Sequence, residues 1–243
     1  MKQNVFKTIL PAFIAVILLA ACEKPPKGDE ATIAETEQKA TPTGQTYVVD
    51  TANSFVRFTG WGVGKNHPGR FKLSYGATAV NKDTVSGGSF VIDIKSMRME
   101  QRGKDIETKL RPHLMSGDFF DADKFGTATF EITNVVPYDP DKDTKKSLVE
   151  GANFMVSGNL TLKGEAKNIT FPARIDLDGN KLKANANFEI DRTQWKMNYG
   201  NDKTLGDKFI SETVNVELSL VALKAEGATD SPSAKAETDD EDE

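Results

Sequence analysis

The sequence predicts an all-β body, an antiparallel barrel or sandwich of about eight strands interrupted by one short helix. Three observations carry this expectation. Between positions 45 and 223 apolar residues recur with a period of two, so each run has one apolar and one polar face. Turn-forming residues separate the runs at short intervals, as in Asp178-Gly179-Asn180 and Gly87-Gly88. Twelve of the fourteen Phe fall in the same span, which places the core-forming material there.

The strands follow in chain order. Val56 with Phe58, and Phe71 with Leu73 and Tyr75, mark the first two; Phe90, Ile92 and Ile94 mark the third. Ile106, Leu110 and Leu114 then recur every fourth residue, the spacing of a helix face, and Pro112 ends or kinks that helix. Phe130 with Ile132 resumes the strand pattern, and Pro137 to Lys146 is a polar excursion. Phe154, Val156, Gly158, Leu160 and Leu162 form the next apolar face. Ile169, Phe171, Ala173, Ile175 and Leu177 are joined by the tight 178–180 turn to Leu182, Ala184, Ala186, Phe188 and Ile190. Val214, Val216, Leu218 and Leu220 close the series. The inward set mixes bulky residues with Gly158, Ala173, Ala184 and Ala186. An eight-stranded barrel holds either filling side chains or one small ligand, and alternation leaves both open.

The flanks differ from the body. Residues 1–21 carry Lys2 and Lys7 ahead of an apolar run too short to span a bilayer, as in a secretory leader. The run ends Leu19-Ala20-Ala21-Cys22, which resembles a bacterial lipobox, so an acylated Cys22 is the expected membrane attachment. Residues 22–44, with Pro25, Pro26, Pro42 and almost nothing large and apolar, read as a disordered linker. Residues 224–243 read as a disordered tail, with two Lys against eight acids. Cys22 is the only cysteine, which excludes a disulfide scaffold. The body of 45–223 holds 24 Lys plus Arg against 23 acids and no strong basic run, which argues against nucleic acid as a partner.

Four stretches of the body resemble the YceI-like family. Tyr47-Val48-Val49-Asp50 with Ser54-Phe55-Val56-Arg57-Phe58 is similar to its opening strand, with Asn53-Ser54 standing where the family often has His-Ser. Asp118 to Phe125 leading into Ala128 to Ile132 is similar to a second segment, and Gly158-Asn159-Leu160-Thr161-Leu162-Lys163-Gly164 with Phe171-Pro172-Ala173 to a third. Asp191-Arg192-Thr193-Gln194-Trp195, Tyr199-Gly200 and Leu205 to Lys208 complete the set. The resemblance implies an eight-stranded lipocalin-like barrel over 45–223, with the helix between strands 3 and 4. It further implies an envelope protein that binds, carries or sequesters a polyisoprenoid or quinone-like lipid without altering it. His67 is placed loosely at a second histidine position of the family.

Inward positions taken from alternation are the expected ligand contacts: Val56, Phe58, Phe71, Leu73, Phe90, Ile92, Ile94, Phe130, Ile132, Phe154, Val156, Ile169, Phe171, Ile175, Ala184, Ala186, Phe188 and Ile190, with His67 and Arg192 at the mouth. Arg192 reads equally as a head-group contact or a surface ion pair. Trp195, Tyr199, Phe119 and Phe120 read as closing a core or barrel end. No Gly-x-Ser-x-Gly elbow accompanies His67 or His113, and the cleanest alternating faces hold no acid or base. No catalytic residue, transition-metal site or cofactor is therefore expected. Asp139, Asp141, Asp143 and Glu150 match calcium-loop spacing, but Thr144 stands at the glycine position and strands flank the loop, so a solvated tip is preferred. Two readings compete with the carrier: a hydrolase or isomerase acting on the lipid, and an adaptor with a filled core. The expected location is the cell envelope, lipid-anchored, with the body in the periplasm or at the cell surface; a homodimer is among the partner readings.

Overall fold

The computed structural model describes residues 24–62, 64–141 and 146–226. The expected leader, Cys22, Asp143 and nearly all of the acidic tail lie outside the described residues.

Eleven strands form one antiparallel-dominated sheet. Nine of them make the barrel: β3 (Gln45–Val49), β4 (Phe55–Gly62), β5 (Lys65–Asn81), β6 (Thr84–Met99), β7 (Thr127–Pro137), β8 (Phe154–Leu162), β9 (Glu165–Asp178), β10 (Lys181–Asp191) and β11 (Thr213–Lys224). Strands β3 and β4 are one barrel strand broken at residues 50–54, because both pair with β5 on one side and β11 on the other. The barrel is thus closed and eight-stranded, as the alternation and the resemblance implied. At the break, the Asp50 carboxylate accepts from Ala52 N (3.0 Å), Asn53 N (3.2 Å) and Asn53 Nδ2 (2.7 Å). The Asn53 side chain, more than any other contact, holds the Asp50 carboxyl below its ordinary range. Ser54 Oγ mends the interrupted ladder by accepting from Val221 N and donating to Val221 O.

The helical segment sits between the third and fourth barrel strands as expected. It is a wide π turn over Ile106–Leu110 that tightens into α1 (Arg111–Met115). Pro112 does not end it: the helix continues three residues past the proline, to Met115, and the π turn lies immediately before α1. Tyr75, expected on the inward face, points outward at 55% exposure, because a register shift between Leu73 and Tyr75 reverses the phase of β5.

The expectation of a structureless linker over 22–44 fails for its described part. β1 (Asp29–Glu30) pairs parallel with β10, and β2 (Thr32–Ala34) pairs antiparallel with β9. β9 and β10 bond to each other only from their hairpin to Ala173 and Ala186, then splay, and residues 29–34 fill the opening. Ala31 and Ile33 join the core there. The rest of the segment wraps the outer face as a belt. Asn66 Nδ2 donates to Lys24 O (2.9 Å), Asn187 Nδ2 to Lys27 O (3.3 Å) and Asn159 Nδ2 to Glu37 O (2.6 Å). Glu37 N, Ala40 N and Thr43 N donate in turn to Asn159 Oδ1, Ile132 O and Ser86 Oγ. Composition misleads here, because the belt is held by polar side chains of the barrel gripping its main chain rather than by apolar residues of its own.

Candidate functional site

The two ends of the barrel are built differently. At one end two of the three connections are tight turns, and the third spans 138–153. Lys82 and Asp83 both take left-handed φ, as a two-residue hairpin requires, and Gly179-Asn180 forms the other tight turn. Tyr47, Leu73, Val80, Val85, Leu182, Leu220 and Ala222 pack into a floor, each 7% exposed or less. At the other end two long connections, 100–126 and 192–212, fold over the opening and carry α1, Phe119, Phe120 and Tyr199.

Between them lies a cavity of about 500 Å³, within the range of small-molecule sites, roughly 300–1,000 Å³. Its walls are overwhelmingly apolar, and no carboxylate lines it among the described residues. The lumen is therefore hollow, and the filled-core reading is not met. The cavity reaches solvent at the mouth, where its lining includes exposed Tyr199 and Lys208, whereas Thr78, Val85, Leu182 and Leu220 at the floor are buried.

Most of the expected inward residues line this space. Val56 and Phe58 of β4, Phe71 and Leu73 of β5, and Phe90, Ile92 and Ile94 of β6 do so. Phe130 and Ile132 of β7, Val156 of β8, Ile169, Phe171 and Ile175 of β9, and Ala184, Phe188 and Ile190 of β10 complete the wall. Phe154 and Ala186 do not. Phe154 packs against the core from its edge, and Ala186 is buried at 4% between Ala173 and Leu218. Gly158 does not supply open space either. The Phe130 ring lies over it, so closely that an added Cβ would come within 2.3 Å of that ring. Ala173 and Ala184 do contribute room, beside the Phe171–Phe188 stack at 4.0 Å.

The mouth carries the polar groups. His67 lines the cavity and its Nδ1 lies 3.3 Å from Gln101 Oε1. His113 Nε2 meets Asp118 Oδ2 at 2.8 Å, and its ring is held edge-on between Phe119 and Tyr199. Both histidines thus have structural partners, and neither stands beside a serine positioned by the structure as a nucleophile. Asn53, the departure from the family's opening histidine, is exposed on the outer wall, turned toward Asp50.

Arg192 lines the cavity at its mouth, as expected, but it is not half of a surface ion pair. It is 3% exposed, and its guanidinium donates to the carbonyls of Ser211 (2.8 Å), Tyr199 (2.9 Å), Ile210 (3.0 Å) and Met197. Burial pushes it below the ordinary arginine range, against the pull of the Glu212 and Asp191 carboxylates. Its Cζ also lies over the Phe119 ring, 5.6 Å from the centroid, within the ~6 Å reach of a cation–π contact. Arg192 is a positioning residue that ties down the 197–211 connection and so shapes the rim. Trp195 is fully buried with Nε1 donating to Leu160 O (3.1 Å), and Phe120 packs on Phe58 and Phe71. These aromatics close the barrel end, as expected, although Phe119, Phe120 and Tyr199 also face the cavity.

Sequence reasoning passed over two groups of lining residues. Val214, Val216, Leu218 and Leu220 of β11 were visible as an alternating face but were not placed in the site. Met197, Lys208 and Ile210 lie on an irregular connection with no period to read. Of the calcium-spaced loop, Asp139, Asp141 and Glu150 are described, and Asp139 Oδ1 accepts from Asp141 N. No group of three metal-ligating side chains occurs among the described residues.

The profile of the YceI-like domain family matches residues 47–222. A UPF0312 protein of Vibrio vulnificus is 33% identical over 132 residues, 52% of this chain and 61% of the relative. The chain thus spans about three fifths of the length of these curated relatives. A UPF0312 protein of Ectopseudomonas mendocina is 27% identical over 166 residues. Among solved structures, BcnA of Burkholderia cenocepacia has a TM-score of 0.55 at 22% identity, covering 71% of this chain and 98% of that one. A polyisoprenoid binding domain from Saccharophagus degradans, implicated in plant cell wall breakdown, has a TM-score of 0.53 at 17% identity, covering 74% and 99%.

Proposed function

The chain belongs to the YceI-like family, and on that premise we propose that its barrel binds the tail of a polyisoprenoid or quinone-like lipid and carries or sequesters it without chemical change. The observation that carries this reading is the hollow apolar lumen that opens at the mouth. At about 30 Å³ per heavy atom, as for water in the liquid, a five-carbon unit needs on the order of 150 Å³. The cavity then takes about three units, and the rest of a longer tail emerges at the mouth. Each unit contributes ~4 kcal/mol gross at ~0.8 kcal/mol per buried methylene. Association and ordering offset much of that, yet three units still outweigh any one polar contact. The polar head rests near His67 and Lys208, two of the polar residues that line the opening.

A non-catalytic role is supported by the lining, which offers no carboxylate and no serine held by a histidine. A place in the cell envelope is supported by the leader and the Leu19-Ala20-Ala21-Cys22 motif. Acylation there attaches the body to a membrane. Organic extraction of the natively purified chain followed by mass analysis tests the reading. Intact isoprenoid lipid is the expected result. Lipid converted relative to what was supplied supports the hydrolase or isomerase instead, and an empty lumen after purification from lipid-replete cells overturns the carrier.

A further inference from the structure

The belt places the start of the described chain at the mouth. Asn66, whose Nδ2 holds Lys24 O at 2.9 Å, is on the β4–β5 hairpin, where Trp61 pairs with Asn66 beside the rim. One residue, Glu23, separates Lys24 from Cys22. At ~3.8 Å between successive Cα atoms, anything bonded to Cys22 starts within roughly 8 Å of the Lys24 main chain. Reaching a membrane from the floor end would need on the order of 30 Å, the height of an eleven-residue tilted strand. The far end of the chain leaves on the opposite side. Lys224 N donates to Asn180 O and Ala225 N to Thr46 O, both at the floor. The tail that follows is strongly acidic, with two Lys against eight acids in 224–243.

The rim itself presents exposed apolar tips among charges of both signs. Tyr199 is 48% and Leu205 43% exposed, and Lys203 and Lys208 flank Leu205 in the 3-10 turn Lys203–Lys208, with Asp207 between Leu205 and Lys208 in the sequence. Asp202 is occupied within that turn, its carboxylate accepting from Thr204 N (2.8 Å) and Oγ1 (2.7 Å). Lys24, Lys27 and Lys65 are exposed at the same end. Aromatic and aliphatic tips flanked by lysines suit the interface of an anionic bilayer, and the acidic tail is repelled by the same surface.

We propose that the protein sits mouth-down on its membrane, with Tyr199 and Leu205 at headgroup depth and the belt as a short, stiff mount rather than a leash. This rests on the acylation of Cys22 proposed above. A lipid tail then passes between bilayer and lumen across the rim without crossing bulk water.

The test uses the full chain, processed in a lipoprotein-forming bacterium and reconstituted in vesicles of phosphatidylethanolamine and phosphatidylglycerol. Acylation consumes the Cys22 thiol, so a thiol-reactive, polarity-sensitive dye labels only an introduced cysteine. Leu205→Cys at the rim is compared with Asn180→Cys at the floor, both exposed positions. The expected result is a blue-shifted 205 dye, quenched several-fold more by headgroup-spin-labelled lipid than the 180 dye. Equal quenching at both sites, or a water-like 205 dye on chains that float with the vesicles, overturns the orientation alone. A parent chain that takes up dye at Cys22 and fails to float overturns the anchor, and this proposal with it.

Discussion

The floor and the mouth of this barrel solve the same problem, closing a sheet, by opposite means. The floor does it with two two-residue hairpins, one longer connection over 138–153, and side chains that alternate from the strands themselves. The mouth does it with two long irregular connections, and the second of these is held by one buried charge, Arg192, bonded to four main-chain carbonyls. The rim is where an opening, polar groups and exposed apolar tips coexist. The difference teaches that the capacity of the lumen is set by strands, whereas access to it is set by connections, one of them tied down by an arginine.

The sharpest way to break the comparison is to remove that arginine. Arg192→Met should lower stability by about 4 kcal/mol, since several charge-assisted hydrogen bonds vanish and their buried carbonyls are left unpaired. Arg192→Lys should not restore it, because an ammonium cannot reach four divergent carbonyls. Denaturant titration checks both, and an Arg192→Met chain within ~1 kcal/mol of the parent would show that the rim holds itself.

Leu182→Ala, at the floor, should lower stability by about 3 kcal/mol through the cavity it leaves. Leu182 lines the lumen's deep end, so lipid retention should hold or rise while stability falls. Loss of both together would mean that the floor also grips the ligand.

The wall and the mouth can be set against each other by ligand retention. Ile92→Asp puts a charge in the lumen and should weaken lipid retention by ~100-fold or more, from the cost of burying it or of drawing water in. His67→Ala should weaken it by only about fivefold. The reverse order, read by mass analysis of co-purified lipid, would assign affinity to the head group.

The belt gives a smaller effect. Asn159→Ala removes two hydrogen bonds to Glu37 and should cost about 1–2 kcal/mol, with faster proteolysis confined to residues 35–43.

The smallest effect is electrostatic and lies on the outer wall near the rim. Burial pushes the Glu100 carboxyl up, but Arg57 and Arg70 outweigh it and hold the group below its ordinary range. A lowered carboxylate contributes stability that is complete above its unfolded value of 4.5 and is lost as pH falls through the lower folded value. Glu100→Gln should therefore cost about 1 kcal/mol at neutral pH, and the gap to the parent should close below pH 4.5. A gap that persists in acid would point to packing in place of charge.

Much of the wall was legible because a period of two is a local property: Phe90, Ile92 and Ile94 can face only one way once one of them does. Tyr75 escaped because a bulge is a mismatch between two strands, and neither strand alone records it. Ala186 escaped because lining a cavity depends on how far neighbouring side chains reach. The belt escaped for a different reason. Its residues are polar and Pro-containing, as in a linker, and what orders them is the row of Asn, Glu and Ser side chains presented by distant strands.

By itself the sequence determined the strand count, the apolar inner face, the helix between the third and fourth strands and the family, because each rests on short-range pattern. Only the tertiary structure decided that the lumen is hollow, that Arg192 is a clamp, and that residues 29–34 fill the seam between β9 and β10. Those outcomes depend on which surfaces meet across more than a hundred residues, and the energy of such a meeting is written in no single segment.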